Sequence, residues 1–277
     1  MTDTQVHYGP RLNARPTGSL RRALLVAPSV AIEDARPLQG EPNAVLSRAL
    51  LQLDVLAKTL RFFGADVSVL PAEQNDPYAS SAVDAAIVFE DGAAVMRPSS
   101  LSRRSMAAWL EHQFEALDVP IAGHIAAPGL LDGGDVLLAG RTAFIGASSR
   151  SNSLGRTGFA QIARAHGFTP VEVPLAATTA SLRSIMGVCS DDTLVIAPRG
   201  LDPSALAGFK TIVTEIGEDR GAGVLNLGDH HVLADVRYPS VINLLRKNGI
   251  TVEAIDLYDF GRVGISPSML VVDLKRT

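Results

Sequence analysis

A glycine followed by seven residues of mostly alternating apolar and polar character recurs along this chain, and no other feature limits its fold as strongly. Gly64 precedes Ala65-Asp66-Val67-Ser68-Val69-Leu70-Pro71, Gly167 precedes Phe168 to Pro174, and Gly249 precedes Ile250 to Asp256. Two weaker copies run from Gly208 to Glu215 and from Leu117 to His124, the second without the glycine. Such a glycine suits the C-terminal end of a helix, where a positive φ carries no steric penalty for it. The alternation after it suits a strand. Amphipathic helices are expected ahead of the clearest copies, over Leu46–Phe62, Ser102–Leu117, Arg156–Ala165 and Pro239–Lys247. Short β-like runs fill the intervals, at Ala23–Ala27, Ala85–Met96, Val136–Ile145, Thr193–Ala197 and Val224–Ala234.

The five copies lie about 40 to 53 residues apart. An ordinary α/β chain fits that spacing. So does a more specific α/β architecture, five ββαβ modules closed around a pseudo-fivefold axis as an α/β propeller. The second would bring strand ends and loops to a common centre where a ligand site forms. Residues 21–277 are then expected to be one domain, with 1–20 as an N-terminal arm.

At 277 residues, with 47% hydrophobic and 19% charged side chains, the chain can build a large core. The formal charge of −4 argues against a role built on neutralising nucleic-acid phosphates. Its one cysteine, Cys189, excludes an intrachain disulfide framework and a cysteine-cluster zinc site, and suits a reducing cytoplasm. No apolar run reaches the roughly 18 residues of a membrane span. Met1 to Arg22 has no apolar stretch of the secretory kind. No nucleic-acid or membrane partner is expected, and a homo-oligomer stays open.

Leu131-Asp132-Gly133-Gly134-Asp135-Val136, followed by Phe144-Ile145-Gly146-Ala147-Ser148-Ser149-Arg150-Ser151-Asn152, resembles the pentein, or guanidino-group-modifying, superfamily. The dimethylarginine dimethylaminohydrolases are the most similar group, with arginine deiminases and amidinotransferases further off. Supporting matches are Pro77 to Asp84, Met96-Arg97-Pro98 with Ser102-Arg103-Arg104, Asn226-Leu227-Gly228-Asp229 and Gly264-Ile265-Ser266. The resemblance implies the pentein fold, no cofactor and no metal. It also implies a chemistry in which a cysteine thiolate attacks a guanidinium carbon and water resolves the covalent intermediate. Carboxylates hold the cation, a histidine moves protons, and arginines hold the ligand's own carboxylate.

Carried over by position, Asp84 matches the guanidinium-binding aspartate and Asp132 the acid that supports the catalytic histidine. Arg97 and Arg150 match the carboxylate-binding arginines. Read without the resemblance, Asp84 is a solvated residue at a strand start, Asp132 a turn residue before Gly-Gly, and both arginines surface residues. Asp135 reads as structural, and Gly133 and Gly134 as a close, positive-φ turn. The decisive positions depart from the family. Ser181-Leu182-Arg183-Ser184 stands where the family has its histidine stretch, so Ser181 replaces the histidine. Gly264-Ile265-Ser266 leads to Pro267 and Ser268 instead of the nucleophilic cysteine, and Ser81 stands for the family's aromatic.

A serine hydroxyl without an adjacent base is a poor nucleophile, so Ser268 is a weak relocated candidate and Ser181 a candidate to position a water or ligand. Cys189 reads as a small buried residue. His230-His231 reads as a turn pair that cannot ligate one metal from a strand, and His124 as a strand-end residue or a border of the central site. Arg21-Arg22 and Arg103-Arg104 read as solvated pairs. No phosphate-binding glycine loop and no Gly-x-Ser-x-Gly occur.

Two kinds of function follow. In the first, the chain is a dimethylargininase- or amidinotransferase-like protein that binds a small arginine-like or amino-acid-derived ligand in the central cavity. Asp84, Arg97 and Arg150 bind it. Asp132, Ser181 and Ser268 carry whatever hydrolase or transferase chemistry survives without the covalent cysteine step. In the second, it is a non-catalytic pentein, a pseudoenzyme acting as ligand sensor, partner subunit or interaction module. The superfamily includes a ribosome-associated factor that does no chemistry. Acids and arginines around an open axis favour binding; a filled axis favours the interaction module.

Overall fold

The computed structural model describes residues 11–72, 75–228 and 230–277. Its strands form five separate three-stranded sheets. The first contains β1 (Leu20–Val26) and β2 (Asp66–Leu70), joined by helix α1 (Leu46–Phe62). The second runs β3 (Ala86–Val88), β4 (Ala93–Val95), α2 (Leu101–Ala116), β5 (Ile121–His124). The third runs β6 (Val136–Ala139), β7 (Thr142–Ala147), α3 (Ser153–Ala165), β8 (Thr169–Pro174). The fourth holds β9 (Met186–Val188), β10 (Thr193–Ile196) and β11 (Lys210–Val213). The fifth runs β12 (Leu225–Gly228), β13 (His231–Asp235), α4 (Pro239–Lys247), β14 (Thr251–Ile255). A short α5 (Tyr258–Arg262) then leads to β15 (Val272–Arg276), which returns to β1 and completes the first sheet.

Every sheet has the same wiring. The middle strand pairs antiparallel with one neighbour and parallel with the strand that follows the helical connection. This is the five-module ββαβ propeller, and the ordinary open α/β sheet is excluded. Residues of β3, β6, β9, β12 and β15 all line one cavity of about 50 Å³, so these strands face the shared axis. Among the described residues no helix is long and apolar enough to cross a membrane.

The repeated strands become β2, β5, β8, β11 and β14, the outer parallel strand of each sheet. Gly64, Gly167, Gly208 and Gly249 have φ between 77° and 92°, the left-handed region that releases the chain from the preceding turn. In the second module that position is Asp118, with φ 52°. Asp tolerates the left-handed region better than most side chains, so the copy without glycine keeps the geometry. The fourth module shortens its helix to a single 3-10 turn, Pro203–Leu206, capped by the Asp202 side chain accepting from Ser204 N at 2.9 Å.

The helices form where the sequence spaces apolar residues by three and four. α1 buries Ala49, Leu53, Leu56 and Leu60 against its sheet. α3 starts where the Asn152 side chain accepts from Gly155 N at 2.8 Å. Residues 11–19 of the expected arm lie on the barrel, with Leu12 buried and Arg276 N donating to Leu12 O at 3.1 Å. Residues 1–10 of the arm lie outside the described residues, as does Asp229 of the Asn226–Asp229 motif.

Nothing lies within 4 Å of a Cβ added at Gly249, so only its φ of 80° opposes a side chain. Gly249→Ala should therefore cost about 1 kcal/mol and Asp118→Gly should cost nothing or gain up to about 1 kcal/mol. Urea denaturation of both variants checks this.

Candidate functional site

Just ahead of each axis-facing strand the chain makes one tight 3-10 turn: Ala82–Ala85, Gly133–Asp135, Leu182–Ser184, Asp219–Ala222 and Pro267–Met269. The turns touch in succession, from 267–269 through 82–85, 133–135 and 182–184 to 219–222. Their packing explains Gly133 and Gly134. A Cβ on Gly133 would lie 1.9 Å from Val83 O, and one on Gly134 would lie 2.6 Å from Asp84 Oδ1. Close approach, and not the expected positive φ, is what demands glycine here, since neither residue has a positive φ.

The turns bring Asp84 and Asp132 together, both essentially sealed from solvent. Asp84 Oδ1 accepts from Gly134 N at 2.9 Å, and Oδ2 accepts from the Ser81 hydroxyl at 2.8 Å. Asp132 Oδ1 accepts from Ser99 N at 2.9 Å. Between the acids lies a guanidinium that comes from the protein itself. Arg103, in the first turn of α2, donates its Nη1 to Asp84 Oδ2 and lies 3.5 Å from Asp132 Oδ2. Its guanidinium also covers the Tyr78 ring, 4.8 Å from the centroid. Arg103 is 4% exposed, so the expectation of a solvated Arg103-Arg104 pair is corrected at Arg103. Burial opposes its charge, but Asp84 and Asp132 outweigh that and raise its pKa.

The other carried-over residues divide. Arg150 reaches the acids: its Nη1 lies 3.8 Å from Asp132 Oδ2, buried and without a hydrogen bond. Arg97 turns to the backbone, donating to Gly129 O at 3.0 Å. Ser181 is buried, and the partner of its hydroxyl is the Met269 sulfur at 3.9 Å. Among the described residues no hydrogen bond joins it to Asp132. The Ser268 hydroxyl lies 3.3 Å from that of Ser266, which donates to Arg183 O at 2.9 Å. Among the described residues no hydrogen bond joins either hydroxyl to a base, the contact that activates a serine nucleophile.

His124 pairs with Glu111 at 2.7 Å, His166 with Asp91 and His231 with Glu253, all away from the turns. His230 occupies the turn before β13. Cys189 is buried just after β9, and burial pushes its thiol up to about 12. Arg103 is the residue that sequence reasoning missed. Its signal was the Ser102-Arg103-Arg104 motif, which marked the stretch without saying which side chain turns inward.

Asp135 ties two turns together, accepting from the Ser148 hydroxyl through Oδ2 and from Leu182 N at 2.9 Å through Oδ1. Burial pushes its carboxyl up to about 7, against the lowering effect of those bonds. Asp132 is pushed up to about 6 by burial and by Asp84. Both are raised, so between the ordinary carboxylate range and pH 7 the folded chain holds protons the unfolded chain has released. Stability from these groups is therefore present at low pH and falls as pH rises through about 4 to 7. Urea titrations should show this decline, and Asp135→Asn should flatten its upper part and exceed the wild type at pH 8.

No protein-family model matches the chain. A curated N(G),N(G)-dimethylarginine dimethylaminohydrolase of Streptomyces coelicolor is 27% identical over 257 residues, which is 92% of this chain and 97% of that protein. Among solved structures, the dimethylarginine dimethylaminohydrolase of Pseudomonas aeruginosa, a cysteine-to-serine mutant complexed with citrulline, superposes with a TM-score of 0.82. It is 20% identical and covers 92% of this chain and 99% of its own. The substrate-bound N-terminal domain of ArgZ, a cyanobacterial arginine dihydrolase, gives a TM-score of 0.80 at 16% identity, covering 92% and 98% of the two chains. Five equivalent modules, the glycine-packed turns and these likenesses agree: the chain has the five-module ββαβ fold of these proteins and is similar in sequence to the dimethylarginine dimethylaminohydrolases.

Proposed function

We propose that this protein is a guanidine-recognising pentein that does not turn over its ligand by the thiolate route, and that Arg103 occupies the cation site until a ligand replaces it. The observation that carries this reading is the buried guanidinium of Arg103 between Asp84 and Asp132. Two carboxylates out of water need a cation with directed N–H groups, and a guanidinium meets that need through paired charge-assisted bonds. An arginine-like ligand presents the same group. The kinship with proteins named for dimethylarginine and arginine chemistry supports the same ligand class.

The residues around the acids support binding over turnover. Covalent attack on a guanidinium carbon requires a nucleophile already deprotonated or paired with a base. Ser181 faces a thioether, Ser268 faces another hydroxyl, and Pro267 has neither thiol nor amide proton. A second reading, an interaction module, draws on the closure of the site: Asp84 is 0% and Asp132 1% exposed, so nothing enters unless Arg103 withdraws.

Arg103→Ala separates the two. Removing one partner of a buried ion pair should destabilise the protein by about 3–5 kcal/mol. Millimolar agmatine or methylguanidine should then restore much of the lost melting temperature, and Asp84→Asn should abolish that rescue. Purified wild-type protein should make no citrulline from arginine or dimethylarginine at ordinary enzyme rates. Absence of rescue in a folded Arg103→Ala protein would favour the interaction module, and citrulline formation would overturn both readings.

A further inference from the structure

Helix α1 is apolar on two opposite faces. Ala49, Leu53, Leu56 and Leu60 are buried against the first sheet. On the other side Leu51, Val55, Lys58 and Phe62 follow one another at intervals of four, three and four residues, which keeps them in one outward stripe. Leu51 is 67% and Phe62 83% exposed, and Val55 and the adjoining Leu50 are exposed as well. A surface helix ordinarily keeps polar groups opposite its buried stripe. The equivalent helices of the other modules do so. Among the described residues α2 and α3 each expose one large apolar side chain, Leu101 and Leu154, in the first turn, and α4 exposes none. The fold itself therefore does not call for this stripe.

Phe62 is held as it projects. Its ring meets Phe63 edge-on, with 5.1 Å between centroids, and Phe63 in turn meets the His231 ring. Charge enters the stripe through Lys58, whose Nζ lies 2.6 Å from Asp54 Oδ2 one turn earlier. The arginines that flank the stripe are engaged elsewhere, Arg48 with Asp259 and Arg61 with Val67 O.

We propose that this face is the contact between two copies of the chain, their α1 helices packed antiparallel about a twofold axis. The spacing is that of a coiled-coil seam. With the axis midway between Leu51 and Phe62, each Phe62 meets Leu51 of the second copy, and each Lys58 stem lies over the opposite Val55. Asp54 of each copy then stands level with Lys58 of the other, so two opposite-charge pairs close across the axis. A parallel arrangement would set Asp54 beside Asp54 and Lys58 beside Lys58, and the charge pattern opposes it. The contact centres on one helix of 17 residues, about 25 Å long, which suits a reversible dimer and not an obligate one. It does not rest on the cation site.

Sedimentation equilibrium of the full-length protein tests the assignment. At micromolar concentrations the wild type should approach twice the mass of the chain. Phe62→Ser, Asp54→Lys and Lys58→Asp should each weaken self-association about tenfold or more. All three replace exposed side chains, so circular dichroism should stay unchanged. An equimolar mixture of the Asp54→Lys and Lys58→Asp proteins should recover the dimer, because opposite charges then meet at both crossings. A wild type that stays monomeric overturns the proposal and leaves the face to a different protein. A dimer that survives Phe62→Ser overturns it by placing the contact elsewhere, and a mixture that fails to recover overturns the antiparallel pairing.

Discussion

The ion cluster of Arg103 with Asp84 and Asp132 is the interaction on which the centre of this molecule depends. Two carboxylates placed at the meeting point of five tight turns repel each other and lose their water. Without a cation, at least one would have to bind a proton. Arg103 supplies that cation from α2, so the second module neutralises a charge problem created jointly by turns of the second and third. Ser81, Gly134 N and Ser99 N donate further hydrogen bonds to the two carboxylates, while Arg150 Nη1 stands beside Asp132 without one. The close turn packing needs the network, and the network needs the Gly133-Gly134 backbone to come within bonding distance.

The same cluster shapes what the site can do. Proteins similar to this chain are named for reactions on arginine-like molecules, and our proposal gives Asp84 and Asp132 the recognition of such a molecule here. In the neighbouring turns the Ser181 hydroxyl meets a sulfur, and the hydroxyls of Ser266 and Ser268 lie 3.3 Å apart. Recognition and reaction are separable in such a centre because the first rests on fixed charge and the second on a movable proton and a nucleophile.

Much of the architecture was legible because glycine with positive φ and alternating strands leave a mark that survives in each module. Gly64, Gly167, Gly208 and Gly249 stand at equivalent ends of helix or turn. Asp118 was not legible as the fifth, since an aspartate in the left-handed region reads like any turn aspartate. The candidate site was legible in its acids, through the Pro77–Asp84 and Leu131–Val136 stretches. Arg103 was not, because its partners lie 19 and 29 residues away, and an Arg-Arg pair at a helix start gives no sign of which face is buried. Nor could local sequence separate Arg97 from Arg150. Both are half-buried arginines in loops, and only the folded path shows that one meets a carbonyl and the other a carboxylate.

The return of β15 to β1 has a consequence for the order in which the molecule can be finished. A chain emerging from the ribosome completes the second, third, fourth and fifth sheets in sequence, each from its own contiguous segment. The first sheet alone combines the beginning and the end of the described chain, so β1 and β2 wait with an open edge until β15 arrives. The turn Pro267–Met269 arrives with it and fills the last sector of the ring. The central ring of turns is therefore incomplete until the segment before β15 has been made. Until β15 pairs with β1 the chain carries an unpaired strand edge, the kind of surface that chaperones cover.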